Sequence, residues 1–165
     1  MVELIVVMTI VIVLTVLFFA SYTKVKARAR LSRTTTELTQ IASALNQYAQ
    51  DNGGYPADVS RSVPPGLEKY IQGGVWPTSA WPNGVFDWDN WTHPTNGQQI
   101  YQISYRLCDN SDPIASCSDP DLFPNFVRNS SIFYCVSGPC IPHEASPTVP
   151  GYCVNCKPKE QNYTP

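Results

Sequence analysis

With 165 residues and a net charge of −2, the chain has room for one domain, or for one domain carrying a long projecting element. Only His93 and His143 occur, neither sits in a catalytic pattern, and there is no Gly-x-Ser-x-Gly, phosphate loop or His-Glu-x-x-His, which argues against an enzyme. The charge is unevenly spread: Lys24, Lys26, Arg28, Arg30 and Arg33 form a basic collar, while the chain beyond Thr34 carries twelve acidic and six basic residues.

From Leu4 to Tyr22 no side chain is charged, and Thr9, Thr15 and Ser21 are the only strongly polar residues. Nineteen helical residues would span roughly 28 Å, close to the hydrocarbon thickness of a bilayer. The charge ahead of this run is acidic (Glu3) and the run continues into further helical sequence, so it reads as retained rather than as a cleaved signal. The collar behind it suits anionic headgroups. No Gly or Pro occurs before Gly53. Leu31, Leu38, Ile41, Ala42, Leu45, Tyr48 and Ala49 recur at three- and four-residue spacings, which predicts an amphipathic helix. Asn52-Gly53-Gly54 and Pro56 predict its end. A single helix of about fifty residues would be roughly 75 Å long. Its first half needs burial by lipid or by copies of itself; its second half has one stripe for a domain. The predicted units are residues 1–23, the hydrophobic membrane or filament-core half, 24–54, the amphipathic half, and 55–165, a globular head.

From Pro56 to Asn96 the chain is rich in turns, with a short helix predicted over Gly66 to Ile71. Trp76, Trp81, Trp88 and Trp91 read as core or loop-anchoring rings, with carbohydrate or partner binding as the rival use. Asp87-x-Asp89-Asn90 places hard oxygen ligands in a calcium-like pattern, and Asp109, Asp112, Asp119 and Asp121 are further candidates; solvated loop acids are the plainer reading. Ile100 to Leu107 is the clearest strand, with Tyr101, Ile103, Tyr105 and Leu107 on a buried face and Ile100, Gln102, Ser104 and Arg106 on a wetter one. Ser131 to Val136 is a second strand and Val85 to Trp88 a third. Beyond Gly138 the proline content excludes central strands.

All six cysteines (Cys108, Cys117, Cys135, Cys140, Cys153 and Cys156) lie in the last third, where an even count among loops predicts up to three disulfides in an oxidising compartment. Fifteen connectivities are open, and the short separation of Cys108 and Cys117 suits a local loop. Cys135-x4-Cys140-x12-Cys153-x2-Cys156 also has the spacing of a four-thiolate zinc site, a reading that yields to disulfides behind a membrane anchor. Asn90-Trp91-Thr92, Asn129-Ser130-Ser131 and Asn162-Tyr163-Thr164 fit the N-glycosylation triplet.

Glu3 carries the most information, because a carboxylate heading an apolar helix needs a partner or a function. Met1-Val2-Glu3-Leu4-Ile5-Val6-Val7 resembles the start of mature type IV pilins and of the major pseudopilins of type II secretion. The basic collar, the helix ending in Tyr48-Ala49-Gln50-Asp51-Asn52-Gly53-Gly54-Tyr55-Pro56 and the cysteine-bearing C-terminal loops extend that resemblance. It covers residues 1–56 and fades afterwards. Only Met1 and Val2 precede Glu3, two fewer residues than the family has, and no Gly or Pro interrupts Thr15 to Tyr22, where many pilins have a helix breaker. The resemblance implies an α+β fold: a very long N-terminal helix, half of it packed on a small antiparallel sheet with irregular, disulfide-held loops. It implies a subunit that waits in the cytoplasmic membrane, is handled by pilus or secretion machinery, and polymerises with copies of itself into an extracellular surface filament. In such a filament Glu3 pairs with a neighbour's N-terminal amine while Leu4, Ile5, Val6 and Val7 pack in the core. No cofactor is implied beyond the calcium that major pseudopilins bind in a C-terminal loop, and nucleic acid is not an expected partner. The rival is a monomeric membrane-anchored protein displaying an extracellular Trp- and Cys-rich domain.

Overall fold

Helix α1 runs over Val2–Asn52, 51 residues without a helix-breaking residue inside it. Gly53, at φ 75°, takes the left-handed conformation that ends it. The computed structural model describes residues 2–93, 97–107, 122–123, 125–127, 130–140 and 150–156, and at Val2 and residues 17–21 the backbone alone. Beyond α1 the predicted short helix appears as a 3-10 turn at Leu67–Lys69, followed by another at Gln72–Gly74.

Four strands follow: β1 (Val85–Thr92), β2 (Gln99–Arg106), β3 (Ser131–Ser137) and β4 (Gly151–Cys153). They form one sheet in chain order, β1, β2 and β3 pairing antiparallel and β4 running parallel to β3. The expectation of a wholly antiparallel sheet therefore fails at its last strand. Parallel pairing needs a crossover of about a dozen residues, and the stretch between Ser137 and Gly151 is long enough to supply it. Among the described residues of the proline-rich tail, Gly151–Cys153 form a strand, at the sheet edge and just past Pro150.

The stripe on the second half of α1 makes the core. Leu38, Ile41, Ala42 and Leu45 are buried in one cluster with Trp88, Ile103, Tyr105 and Ile132, and Leu31 and Tyr48 pack at its margin. Trp88 is fully enclosed and its indole N–H donates to the Pro56 carbonyl at 3.0 Å, tying the chain just past the helix end to β1. Trp81 is also buried, so two of the four tryptophans are core groups; Trp76 and Trp91 are half-buried.

The other face of β2 corrects the prediction of a wet side. Ile100, Gln102, Ser104 and Arg106 are all buried. The cause lies on the neighbouring strand, whose register sets Asp87 opposite Ser104 and Asp89 opposite Gln102. Asp87 forms an ion pair with the Arg106 guanidinium and accepts the Arg61 backbone N–H at 2.7 Å. Asp89 Oδ2 accepts from Ser104 Oγ at 2.7 Å and from Gln102 Nε2 at 3.2 Å. Polar groups that satisfy one another can leave water, and here they do.

Candidate functional site

Two regions of the molecule hold chemistry that the core does not absorb. The first is the N-terminal part of α1. Between Leu4 and Val16, eleven large apolar side chains are exposed, from Val6 at 51% to Leu4 at 69%. They circle the helix rather than following one stripe, so no single neighbouring element could cover them. The two hydroxyls in this stretch turn back on the helix: Thr9 Oγ1 donates to the Ile5 carbonyl at 2.8 Å and Thr15 Oγ1 to the Val11 carbonyl at 2.7 Å. Both are thereby compatible with a dry environment. Glu3 is left as the one charged group on this part of the helix, exposed in the first turn, where the positive end of the helix dipole favours a carboxylate. The predicted assembly residues Glu3, Leu4, Ile5, Val6 and Val7 thus lie together on the surface of one helical rod. Among the described residues no helix is long and apolar enough to cross a membrane; residues 17–21 fall outside that statement.

The collar is smaller than its sequence implied. Lys24, Lys26 and Arg28 are exposed and Arg30 half-buried. Arg33 instead anchors the helix to the head: its Nε pairs with Glu37 Oε1 at 2.8 Å, and its Nη2 donates to the carbonyl and hydroxyl oxygens of Thr78 at 2.7 and 2.8 Å. Beside this anchor an open groove of about 470 Å³ runs between α1 and the turns, lined by Glu37, Gln40, Tyr70 and Thr78 among others. Tyr70 donates its hydroxyl to Asp51 at 2.8 Å, and that hydrogen bond holds the phenol above its usual pKa. No motif in the sequence singles out Glu37 or Thr78; the four-residue spacing of Arg33 and Glu37 was the available signal.

The second region is the cysteine cluster. Cys135 lies on β3, Cys153 ends β4, and Cys156 closes the turn that follows. Disulfides join Cys135 to Cys140 and Cys153 to Cys156, so the structure pairs sequence neighbours out of the connectivities left open. Asn155 locks the two segments together independently of sulfur: its Oδ1 accepts the Cys135 N–H at 2.8 Å and its Nδ2 donates to the Cys135 carbonyl at 2.9 Å. The Val154 N–H donates to the Phe133 carbonyl at 2.8 Å, extending the β3–β4 pairing into the turn. Sequence reasoning did not single out Asn155. Cys108 and Cys117 lie outside the described residues, as do Asp109, Asp112, Asp119, Asp121, His143, and the triplets starting at Asn129 and Asn162 in whole or part.

Asp87, Asp89 and Asn90, the calcium candidates, sit on strand β1 instead of on a loop. Asp87 and Asp89 face inward and are engaged by Arg106, Arg61, Ser104 and Gln102, and Asn90 Nδ2 donates to the Pro56 carbonyl at 2.6 Å. The carboxylate oxygens hold β1 to β2 and to the Arg61 backbone, and the Asn90 amide nitrogen holds the Pro56 segment. Among the described residues the only grouping of three or more metal-ligating side chains is Cys135, Cys153 and Cys156. Compared with protein families, with curated proteins and with solved structures, the chain matches none.

Proposed function

We propose that the chain is a structural subunit that polymerises through its N-terminal helix into a type IV pilus-like surface filament. The observation that carries this reading is the division of α1: its second half is seated on the sheet, while the residues from Leu4 to Val16 expose apolar side chains on every side with a lone carboxylate near the tip. An apolar surface of that extent is not tolerated in water and marks an interaction site. A bundle of identical helices covers it all round, as a single groove on another protein would not. Before assembly the cytoplasmic membrane holds this helix, and pilus or secretion machinery transfers it to the growing polymer. In the dry bundle Glu3 pairs with an N-terminal amine of a neighbouring subunit, and either charge alone would be costly there.

Electron microscopy of material sheared from producing cells, with filaments identified by antibody to the head, tests the reading. Filaments containing the chain are expected, and Glu3→Val is expected to insert in the membrane and to polymerise inefficiently, with a low yield of ordered filaments. Single detergent-soluble chains from cells with working assembly machinery would replace the filament with the monomeric display protein. Normal filament yield from Glu3→Val would remove Glu3 from the mechanism.

A further inference from the structure

In the oxidised form the four cysteines make two disulfides, yet their sulfurs also approach across the pairs. Cys135 Sγ lies 3.8 Å from Cys153 Sγ and 3.5 Å from Cys156 Sγ, and these three sulfurs all fall within 4.8 Å of one another. Two separate disulfides have no physical need to meet in this way. Four thiolates around one zinc ion do: at a zinc–sulfur distance of about 2.3 Å, a tetrahedron has sulfur–sulfur edges of about 3.8 Å. We propose that, while its cysteines are still thiols, the chain binds one Zn2+ through Cys135, Cys140, Cys153 and Cys156.

The scaffold supports this independently of the sulfur bonds. The Cys153–Cys156 turn is fastened to β3 by both Asn155 hydrogen bonds and by the bond from Val154 to Phe133. Three ligands therefore converge through backbone pairing and one side-chain amide. Cys140 comes from the segment just past β3, with its Cα 5.6 Å from that of Cys135; its sulfur stands outside the 4.8 Å group and turns in as the fourth ligand once the Cys135–Cys140 bond is open. Cys153 is buried and Cys135 and Cys156 are partly exposed, so a metal ion can reach the cluster from solvent. The spacing of four residues, then twelve, then two is one that a four-thiolate site can use, with a connection between the turns shorter than in the commonest four-cysteine pattern.

Zinc loading involves no electron transfer. Four S–H bonds are lost, four S–Zn bonds form, and four protons pass to solvent. Conversion to the disulfides is a separate step that needs an oxidant such as a small-molecule disulfide. Each cysteine pair gives up two electrons to one oxidant disulfide, which takes two protons from solvent and leaves as two thiols, and Zn2+ is released. The site is thus occupied before oxidation and closed after it.

The test uses the full chain, produced in a reducing cytosol and purified in detergent with a phosphine reductant and no chelator. Elemental analysis is expected to find about one zinc per chain. Cys135→Ser and Cys156→Ser should lose it, whereas the double substitution Cys108→Ser/Cys117→Ser should keep it. Replacement of zinc by Co2+ should give the visible bands of a tetrahedral site with thiolate-to-metal charge transfer. Cys156→His puts a nitrogen ligand in place of the thiolate, and should retain the metal with a weaker charge-transfer band. It carries the test if the serine variants do not fold. Reduced chain with native tryptophan fluorescence and no stoichiometric zinc overturns the proposal, as does zinc that survives in folded Cys135→Ser and Cys156→Ser. The measurement is made on unassembled chain, so its outcome is separate from that of the filament experiment.

Discussion

Replacing Asp87 by Asn tests whether the polar face of the sheet is held by charge or only by shape. The substitution keeps the side-chain volume and still offers an oxygen to the Arg61 N–H, so what it removes is the charge facing Arg106. Both partners are almost wholly enclosed, with side-chain exposures of 3% for Asp87 and 6% for Arg106. Breaking such a pair from one side takes from the buried Arg106 cation the carboxylate it faces, at a cost of about 3–5 kcal/mol. Small domains have about 5–15 kcal/mol of stability in total, so the loss is a large share of it. With a urea slope of about 1–3 kcal/mol/M, the unfolding midpoint should fall by at least about 1 M. The readout is tryptophan fluorescence of the detergent-solubilised chain in a urea titration, since all four tryptophans lie between Trp76 and Trp91. The double variant Asp87→Asn/Arg106→Met removes both charges, keeps an oxygen for the Arg61 N–H and should recover much of the loss, because removing a buried pair together costs far less than removing one partner. A shift below about 1 kcal/mol for Asp87→Asn, or a double variant as unstable as the sum of its two single changes, would show that the pair is not desolvated as its burial implies.

Two more perturbations probe the contact between helix and sheet. Leu45→Ala should cost about 2–5 kcal/mol by the same titration, because Leu45 is fully enclosed between α1 and the sheet; a cost near zero would mean the helix half is not seated there. Tyr105 is held above the ordinary tyrosine pKa first of all by burial, so the folded state retains the phenol proton that the unfolded chain loses near pH 10. Its contribution is complete below about pH 10 and falls as pH rises through the higher folded value. Tyr105→Phe should flatten that alkaline loss in a pH series of urea midpoints, and an unchanged slope above pH 10 would assign the loss to other groups.

How far the chain could be read depended on whether a residue's fate was decided locally. The end of α1 was legible because Gly53 and Pro56 act through their own backbones, and α1 stops at Asn52. The buried stripe of Leu38, Ile41, Ala42 and Leu45 was legible because helical periodicity alone puts those residues on one face. The wet face assigned to β2 failed because the groups that bury Gln102, Ser104 and Arg106 stand on β1, and one strand's alternation says nothing about its neighbour. For the same reason β1 was expected to stop at Trp88 and continues to Thr92: Asp89 and Asn90 look like turn formers until Ser104, Gln102, Gln99 and Pro56 supply partners. Arg33 looked like part of the collar because Thr78 is 45 residues away. The convergence of Cys135 with Cys153 and Cys156 likewise depends on β4 joining the sheet beside β3, which spacing alone could not show.

The division of α1 also separates affinity from register in the proposed filament. Moving a large apolar side chain from full exposure to full burial gains about 1.5–3 kcal/mol, and side chains already half-covered by their own helix gain less. Even at roughly 1 kcal/mol each, the eleven exposed apolar residues between Leu4 and Val16 would drive association strongly. They would do so almost indifferently to register. Val6, Val7, Ile10, Val11, Ile12, Val13 and Val16 are so alike that a slip of one helical turn, about 5.4 Å, replaces β-branched contacts by β-branched contacts. Glu3 has no such equivalent one turn further on, where Val7 stands. A slipped packing therefore strands a carboxylate against hydrocarbon, and that penalty falls on every subunit in the wrong register. Glu3→Gln separates the two effects: association should persist, because the apolar surface is untouched, while uniform filament geometry should be lost. Images of Glu3→Gln filaments with the helical order of the unaltered chain would show that the apolar residues set the register by themselves.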